Sequence, residues 1–381
     1  MVPALILYVV ITAPYALIMV FLIRGWHRNP NFTTNGDLQQ ASAGARTKVS
    51  ILIAARNEEE NISKTINDIL AQDYPRELYE LIVADDHSTD RTSEIISSYA
   101  AEGVRLLSLR EDRALNSYKK KAIADAIDLS TGDLIVTTDA DCRMSPAWLS
   151  TLVSFYERTD VLLVSSPVVY FQEQDHFEKL QTLEFSFLIG LGAAMIGNNI
   201  PSTCNGANLA YRKSVFYELE GFKGIDDLAS GDDELFLHKV TSRYPGRVGF
   251  CKSEQAIVYT HAKPDLTEFI RQRKRWASKT VKYKNKKIVT LGICIWAFNL
   301  GILLGALAGF FIPGGWIFMG AMLCAKFILE LIFLVPVTRF IGRAWLILYL
   351  PLLTVLHVLY MVLIGLLGNS GKYVWKGRLV R

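Results

Sequence analysis

Residues 134–149, LIVTTDADCRMSPAWL, drive an apolar, β-branched run straight into Asp139 and Asp141. In extended chain, residues i and i+2 face the same side. Two carboxylates there repel one another unless a cation lies between them, and oxygen ligands suit Mg²⁺ or Mn²⁺ completed by substrate phosphates. The plain alternative is a pair of loop aspartates ahead of the turn at Ser145-Pro146. A second acidic cluster, Gly231-Asp232-Asp233-Glu234, precedes the apolar helical face of Leu235, Phe236 and Val240. Either it stabilises a helix N-terminus through the dipole, or it holds a general base near a cationic centre. A third stretch, FIRQRKRWASK at 269–279, is basic and sits just before a long apolar segment. Such helices commonly touch lipid head groups. Gln272, Arg275 and Trp276 also offer an amide, a guanidinium suited to diphosphate, and an indole suited to a sugar face or a membrane interface.

The elements that must position these residues alternate. The runs VSILIAA (49–55), YELIVADD (79–86), VRLLSL (104–109) and LIVTTD (134–139) read as strands buried on both faces. Between them lie helical spacings: Ile62, Ile66, Ile69 and Leu70 within 57–73, a Ser-Thr-Asp-capped segment over 88–103, and 117–130. Alternation of this kind implies a doubly wound α/β sheet, in which ligands bind beyond the carboxyl ends of the strands. Arg56-Asn57-Glu58, Asp85-Asp86 and Asp139-Ala140-Asp141 all fall at such ends.

The chain has 381 residues, 51% of them hydrophobic, and a mean hydropathy of +0.23. The apolar residues are unevenly spread. Residues 4–23 carry no charge, and further apolar stretches occupy 288–312, 316–338 and 344–368, each near the ~20 residues a membrane-spanning helix needs. Arg24, His27 and Arg28 follow the first stretch, and Lys282, Lys284, Lys286 and Lys287 precede the second. By the positive-inside rule the intervening domain is cytoplasmic. Lys372, Lys376, Arg378 and Arg381 in the tail conflict with four crossings. The expected division is an N-terminal span (1–24), a linker (25–47), a cytoplasmic catalytic domain (48–280), three spans (281–369) and a basic tail (370–381). Five scattered cysteines, with no C-x-x-C spacing, argue against a zinc site or a disulfide framework. The net charge of +4, clustered beside spans, favours lipid head groups or phosphorylated substrates over nucleic acid. Within the third span, Lys326 and Glu330 form either an intrahelical ion pair or a polar lining facing the bundle interior, which His357 could join.

In order along the chain, VSILIAARNEEENI, LIVADDHSTDRT, TTDADC, GDDE and QRKRW resemble the membrane-bound glycosyltransferases of family 2, relatives of cellulose, chitin and hyaluronan synthases and of ceramide glucosyltransferase. The resemblance covers residues 48–280 and the flanking spans. It implies a GT-A (Rossmann-like) α/β fold, a nucleotide-sugar donor, UDP-linked, and Mg²⁺ or Mn²⁺. By position it implies donor contacts at Ala55, Glu58, Asp86, Lys119, Asp139 and Arg275. Lys119 matches the lysine of the family's G-K-x-x-A-L element although Tyr118 stands at its glycine, and Lys120 is a second candidate for that role. The metal falls to Asp141 with Asp139. Asp233 matches the catalytic base, with Asp232 where the family often has Glu. Acceptor contacts fall to Asn208, Asp232, Gln272 and Trp276, and Asn205-Gly206-Ala207-Asn208 matches the acceptor-side loop.

The reaction so implied is a single inverting displacement at the anomeric carbon, with Asp233 as base and the leaving diphosphate stabilised by the metal and Arg275. The acceptor is a lipid or a growing glycan at an inner membrane of bacterial type. A single-addition glycolipid synthase of the ceramide glucosyltransferase kind is the alternative within the family. A non-catalytic nucleotide-sugar-binding scaffold is the alternative from another class. A dinucleotide-binding protein is disfavoured because no G-x-G-x-x-G follows the first strand.

Overall fold

In a computed structural model, residues 2–33, 47–110, 115–279, 283–367, 373–375 and 378–380 are described. The chain divides into two compact units. An α/β unit comprises Asn29–Gln172, Met195–His261 and Lys372–Arg381; a helical unit comprises Met1–Arg28, Glu173–Ala194 and Ala262–Gly371.

The α/β unit is built on a seven-stranded sheet of order β3-β2-β1-β4-β8-β6-β9. Its first half is the expected parallel run: β1 (Val49–Ala55), β2 (Tyr79–Asp85), β3 (Val104–Ser108) and β4 (Leu134–Asp139). Helices α2 (Ile62–Leu70), α3 (Thr92–Ser98) and α4 (Tyr118–Leu129) connect these strands. Ile62, Ile66 and Ile69 fall on one face of α2 at spacings of three and four, and all three are fully buried. The second half of the sheet is mixed. β8 (Leu209–Arg212) runs antiparallel to both β4 and β6 (Leu163–Ser165), and β9 (Val248–Phe250) joins β6 in parallel. Strands this short carry no readable alternation, so the mixed half was not anticipated. A smaller sheet joins β5 (Arg143–Met144), β10 (Val258–Thr260) and β7 (Val168–Tyr170). The helices α5 (Trp148–Arg158), α7 (Lys213–Glu218) and α8 (Glu234–Arg243) complete the unit.

Tight packing enters at Gly132, just before β4. A Cβ there would lie 2.5 Å from the Ser50 backbone N and 2.6 Å from the Val49 carbonyl carbon. The loop after β4 is tied down from α2. Thr65 Oγ1 donates to the carbonyls of Ala140 and Cys142, 2.8 Å each, and Asp68 accepts a forked bond from Arg143 at 2.6 and 2.9 Å. Asp139 and Asp141 thus flank a backbone segment that α2 holds in place.

Among the described residues, five helices are long and apolar enough to cross a membrane: the stretch Tyr8–Arg28 of α1 (Val2–Arg28), α6 (His176–Gly197), α10 (Lys286–Ala308), α11 (Gly315–Phe340), and Ala344–Leu366, which takes in nearly all of α12 (Leu350–Leu367). Helix α1 ends at Arg28, beyond the expected limit of 24. The fifth candidate, α6, lies inside the expected catalytic stretch 48–280. Its most apolar window is 72% buried within the protein, against 22–33% for the other four. Helix α9 (Leu266–Ser278), which carries the QRKRW stretch, also belongs to the helical unit. The division between units therefore departs from the expected break at 280. Within the helical unit, Glu184 on α6 pairs with Arg273 on α9, a contact 89 residues apart in sequence, and Phe187 on α6 packs edge-on against Phe333 on α11.

Gly301, Gly305 and Gly309 form a seam along α10. Added Cβ atoms there would meet Ile11 and Met322, Met319, and Trp316, at 3.1, 3.5 and 2.8 Å for the nearest atoms. Residues 34–46 of the expected linker, and Lys282, Lys372, Lys376 and Arg381, lie outside the described residues. Within the tail, β11 (Tyr373–Trp375) and β12 (Arg378–Val380) pair antiparallel.

Candidate active site

The carboxyl ends of β1, β2 and β4 bring one group of side chains together. Lys119, in the first turn of α4, donates Nζ to Asp139 Oδ1 at 2.8 Å and stands 3.5 Å from Asp232 Oδ2. Its side chain is one-fifth exposed. Burial works against the ammonium charge, but Asp139, then Asp232 and Asp233, outweigh it and hold the Lys119 pKa well above the ordinary lysine value. The lysine is therefore a fixed cation that joins the D-A-D stretch to the G-D-D stretch, 93 residues apart from Asp139 to Asp232.

Asp233 caps α8. Its Oδ1 accepts from the Glu234 backbone N–H at 2.6 Å, and its Oδ2 accepts from the Gly206 N–H at 2.9 Å. The helix-capping account of the cluster is thus realised, and the two amides also orient the carboxylate. Gly206 is pressed against both acids. A Cβ on it would lie 3.3 Å from Asp232 Oδ2 and 3.4 Å from Asp233 Cβ. Its carbonyl accepts from Thr137 Oγ1 at 2.7 Å, which anchors the loop to β4.

Lys120 points elsewhere. It is 2% exposed, and its Nζ donates to the carbonyls of Ile225, Leu228 and Ser230 at 2.7, 2.6 and 2.8 Å. The two adjacent lysines, both candidates for one role, therefore divide: Lys119 meets the acidic side chains, and Lys120 clamps the loop that leads into Gly231.

Asp141 lines a polar cavity of about 190 Å³ with Asn61, Lys64, Thr65, Arg143, Phe171, Gln172 and His261. His261 follows β10, and its ring lies 4.6 Å from that of Phe171. Nothing in the local sequence singles out His261; the β5-β10 pairing brings it to the cavity that Asp141 lines. A carboxylate oxygen is a donor that both Mg²⁺ and Mn²⁺ accept, and an imidazole nitrogen beside it favours Mn²⁺ over the harder Mg²⁺. Among the described residues no group of three or more His, Cys, Asp or Glu converges on one point. A cation here would fit Asp141 and His261 and complete its shell from ligand and water oxygens. Asp139, expected beside Asp141 on the metal, accepts from Lys119 Nζ through its Oδ1.

At the ends of β1 and β2, Asp86 is 2% exposed and its N–H donates to the Ala55 carbonyl at 2.8 Å. Arg56 donates Nη1 to the carbonyls of Asp86 and His87 at 2.7 and 2.9 Å. The Glu58 N–H donates to Thr92 Oγ1 at 2.8 Å. Ala55 and Asp86 are thus joined through the backbone and Glu58 is tied to the first residue of α3, with the Ala55 side chain itself fully buried.

Asn208 departs from its expected acceptor role. It is fully buried; its Nδ2 donates to the carbonyls of Pro167 and Ala256 at 2.8 and 2.7 Å, and its Oδ1 accepts from Trp148 Nε1 at 3.0 Å. All three contacts are internal, so it braces the sheet rather than meeting a sugar.

In the helical unit, Gln272, Arg275 and Trp276 lie half-buried on α9. The buried arginine of the stretch is Arg273, which the Q-x-x-R-W spacing does not mark. It pairs with Glu184, donating Nε to Oε1 at 3.2 Å and Nη2 to Oε2.

Residues 50–220 match the profile of the family described as Glycosyl transferase family 2. Among similar proteins is a β-monoglucosyldiacylglycerol synthase of Nostoc sp., 33% identical over 123 residues, which are 32% of this chain and 26% of that protein. Another is the glycosyltransferase AglE of Haloferax volcanii, 35% identical over 201 residues, 51% of this chain and 61% of that protein. The matches thus span about a quarter to three-fifths of these relatives' own lengths. A solved structure, the mannosyltransferase PcManGT of Pyrobaculum calidifontis in complex with GDP-Man and Mn²⁺, superposes with a TM-score of 0.61 at 19% identity, over 94% of this chain and 98% of that one. At that identity the likeness concerns the fold. The order of the parallel strands, the acidic clusters at their carboxyl ends and the match over residues 50–220 agree: that stretch of the chain is similar to glycosyl transferase family 2 and has the fold of a GT-A domain.

Proposed function

We propose that the protein is a membrane-bound, inverting glycosyltransferase. It moves a hexose or N-acetylhexosamine from a nucleotide sugar, UDP-linked, to a lipid-linked or growing glycan acceptor at the cytoplasmic face. The observation that carries this reading is the convergence of Lys119, Asp139, Asp232 and Asp233 around Gly206 at the carboxyl ends of parallel strands.

In this reading Ala55, Glu58 and Asp86 hold the nucleoside. Asp233, oriented by two amides, takes the proton of an acceptor hydroxyl as its oxygen attacks the anomeric carbon. The bond from that carbon to the diphosphate breaks on the opposite face, so configuration inverts. A positioned base of this kind contributes about 10²–10⁴-fold in rate. Lys119 offers positive charge to the diphosphate, the role that the resemblance also gives to Arg275. A divalent cation held by Asp141 and His261 would supply further charge stabilisation to the leaving group. Gly206 lets the loop backbone lie flush against both acids, where a Cβ would press on Asp232 Oδ2 at 3.3 Å.

Five apolar helices support a membrane location. The name of the Nostoc relative supports a lipid acceptor, and Mn²⁺ in the Pyrobaculum structure supports the metal.

The test is incubation of membranes bearing the full chain with labelled nucleotide sugars and Mg²⁺ or Mn²⁺. Wild type is expected to transfer label, and Asp233→Asn and Asp141→Ala to lose it while remaining folded. Near-normal transfer by both variants would refute the assignment. Label extractable into organic solvent identifies a glycolipid product, and insoluble label identifies a polymer.

A further inference from the structure

Helix α9 carries five charged or amide side chains in one turn and a half, yet only one of them is withdrawn from solvent. Arg273 is 2% exposed and Glu184, its partner on α6, is 5% exposed. A buried ion pair is a poor source of stability, since desolving two charges offsets most of their attraction; such pairs are better explained by the geometry they impose. Here the geometry is directed at the neighbouring side chains. The Arg273 guanidinium uses Nε and Nη2 on Glu184 and turns its remaining Nη1 to Gln272 Oε1 at 2.6 Å. Its plane also lies over two rings, with Cζ 4.3 Å from the Trp276 centroid and 4.5 Å from the Phe269 centroid. One planar, five-donor group thereby contacts both Gln272 and Trp276. A lysine could not do this, because an ammonium has neither the fork nor the flat face.

We propose that Arg273, locked by Glu184, is the positioning residue of this helix: it sets the amide of Gln272 and the indole of Trp276, the two groups read as acceptor contacts. With its oxygen accepting from Arg273 Nη1, the Gln272 amide is held in one orientation. This rests on the glycosyltransferase reading only for what Gln272 and Trp276 touch; the positioning itself does not depend on it.

The experiment uses the full chain labelled with 5-fluorotryptophan in detergent, with the Trp276 ¹⁹F resonance assigned by Trp276→Phe. Arg273→Lys is expected to shift or broaden that resonance. Glu330→Gln, which breaks a comparable buried pair with Lys326 in the same unit, is expected to leave it unchanged. If Arg273→Lys fails to fold, Glu184→Asp serves in its place, since it keeps both charges while drawing the carboxylate back. An unchanged Trp276 resonance overturns the proposal. The second arm is a double-mutant cycle on sugar transfer by membranes. Arg273→Lys is expected to slow transfer about tenfold in the wild-type background and to have little further effect in Gln272→Ala, because both act at one contact. Equal losses in both backgrounds would mean a merely structural role and would also overturn it. Failure of the catalytic reading is visible separately, as transfer that survives Asp233→Asn or that is absent from wild type; in the latter case the resonance still decides.

Discussion

Replacing Lys120 by Met should unfasten the loop that delivers Asp232 and Asp233 without removing any group from the acidic cluster itself. The ammonium donates three hydrogen bonds to backbone carbonyls, all between 2.6 and 2.8 Å, at 2% exposure. Hydrogen bonds from a charged donor contribute about 1.5–3 kcal/mol each, so the low end gives roughly 4–5 kcal/mol for three. Removing the lysine also relieves the desolvation of a buried charge, which returns part of that sum. A net loss of about 3 kcal/mol is therefore expected, or roughly a 10²-fold rise in the population of the open loop. Hydrogen–deuterium exchange of the full chain reads this directly. Amides of residues 222–231 should exchange about 10²-fold faster in Lys120→Met, while those of β1 and β2 hold their protection. Sugar transfer should fall with it, because Asp233 depends on that loop for its place. Wild-type protection over 222–231 in a folded Lys120→Met protein would show that the three carbonyls find other partners and that the clamp is not what orders the loop.

Three further outcomes follow from the α/β unit. Glu80 is held below the ordinary glutamate value of 4.5: burial opposes this, but bonds from Ser50, the Thr131 N–H and hydroxyl, and Arg105 prevail. A depressed carboxyl contributes stability above its unfolded value and loses it as pH falls through the folded one, so thermal midpoints should be level at neutral pH and drop below about 4.5, less steeply in Glu80→Gln. Gly132→Ala should destabilise the unit by about 1–3 kcal/mol or more, since the new methyl would meet the β1 backbone at 2.5 Å and no side chain can yield; an unaltered melting midpoint would contradict this. Asn208→Ala should lower stability by about 2–4 kcal/mol, leaving the Ala256 carbonyl and the Trp148 Nε1–H without their Asn208 partner, while the Pro167 carbonyl keeps the Val258 N–H. Transfer per folded molecule should change little, and a selective rise in acceptor KM with no loss of stability would restore Asn208 to the acceptor site.

What the chain spelled out by itself was the part of the protein whose signals are local. Buried parallel strands are near-continuous apolar runs, and VSILIAA and LIVTTD became β1 and β4 at the residues their composition marked. Acidic and basic clusters at strand ends are likewise readable, because the sheet's own polarity says where ligands approach. The tertiary structure decided what those clusters meet. Lys119 and Lys120 are one type at adjacent positions, and only the helix rotation of about 100° per residue sends one to carboxylates and the other to carbonyls. His261 reaches the cavity that Asp141 lines through a strand pairing that no short-range pattern announces. Helix α6 escaped notice because Glu184 interrupts its apolar run, and that charge is tolerable only beside Arg273. Asn208 followed the motif but was turned inward by Trp148, Pro167 and Ala256, three partners distant in sequence. A residue's type is fixed locally, whereas its partner is chosen by which other element the fold brings within hydrogen-bonding distance.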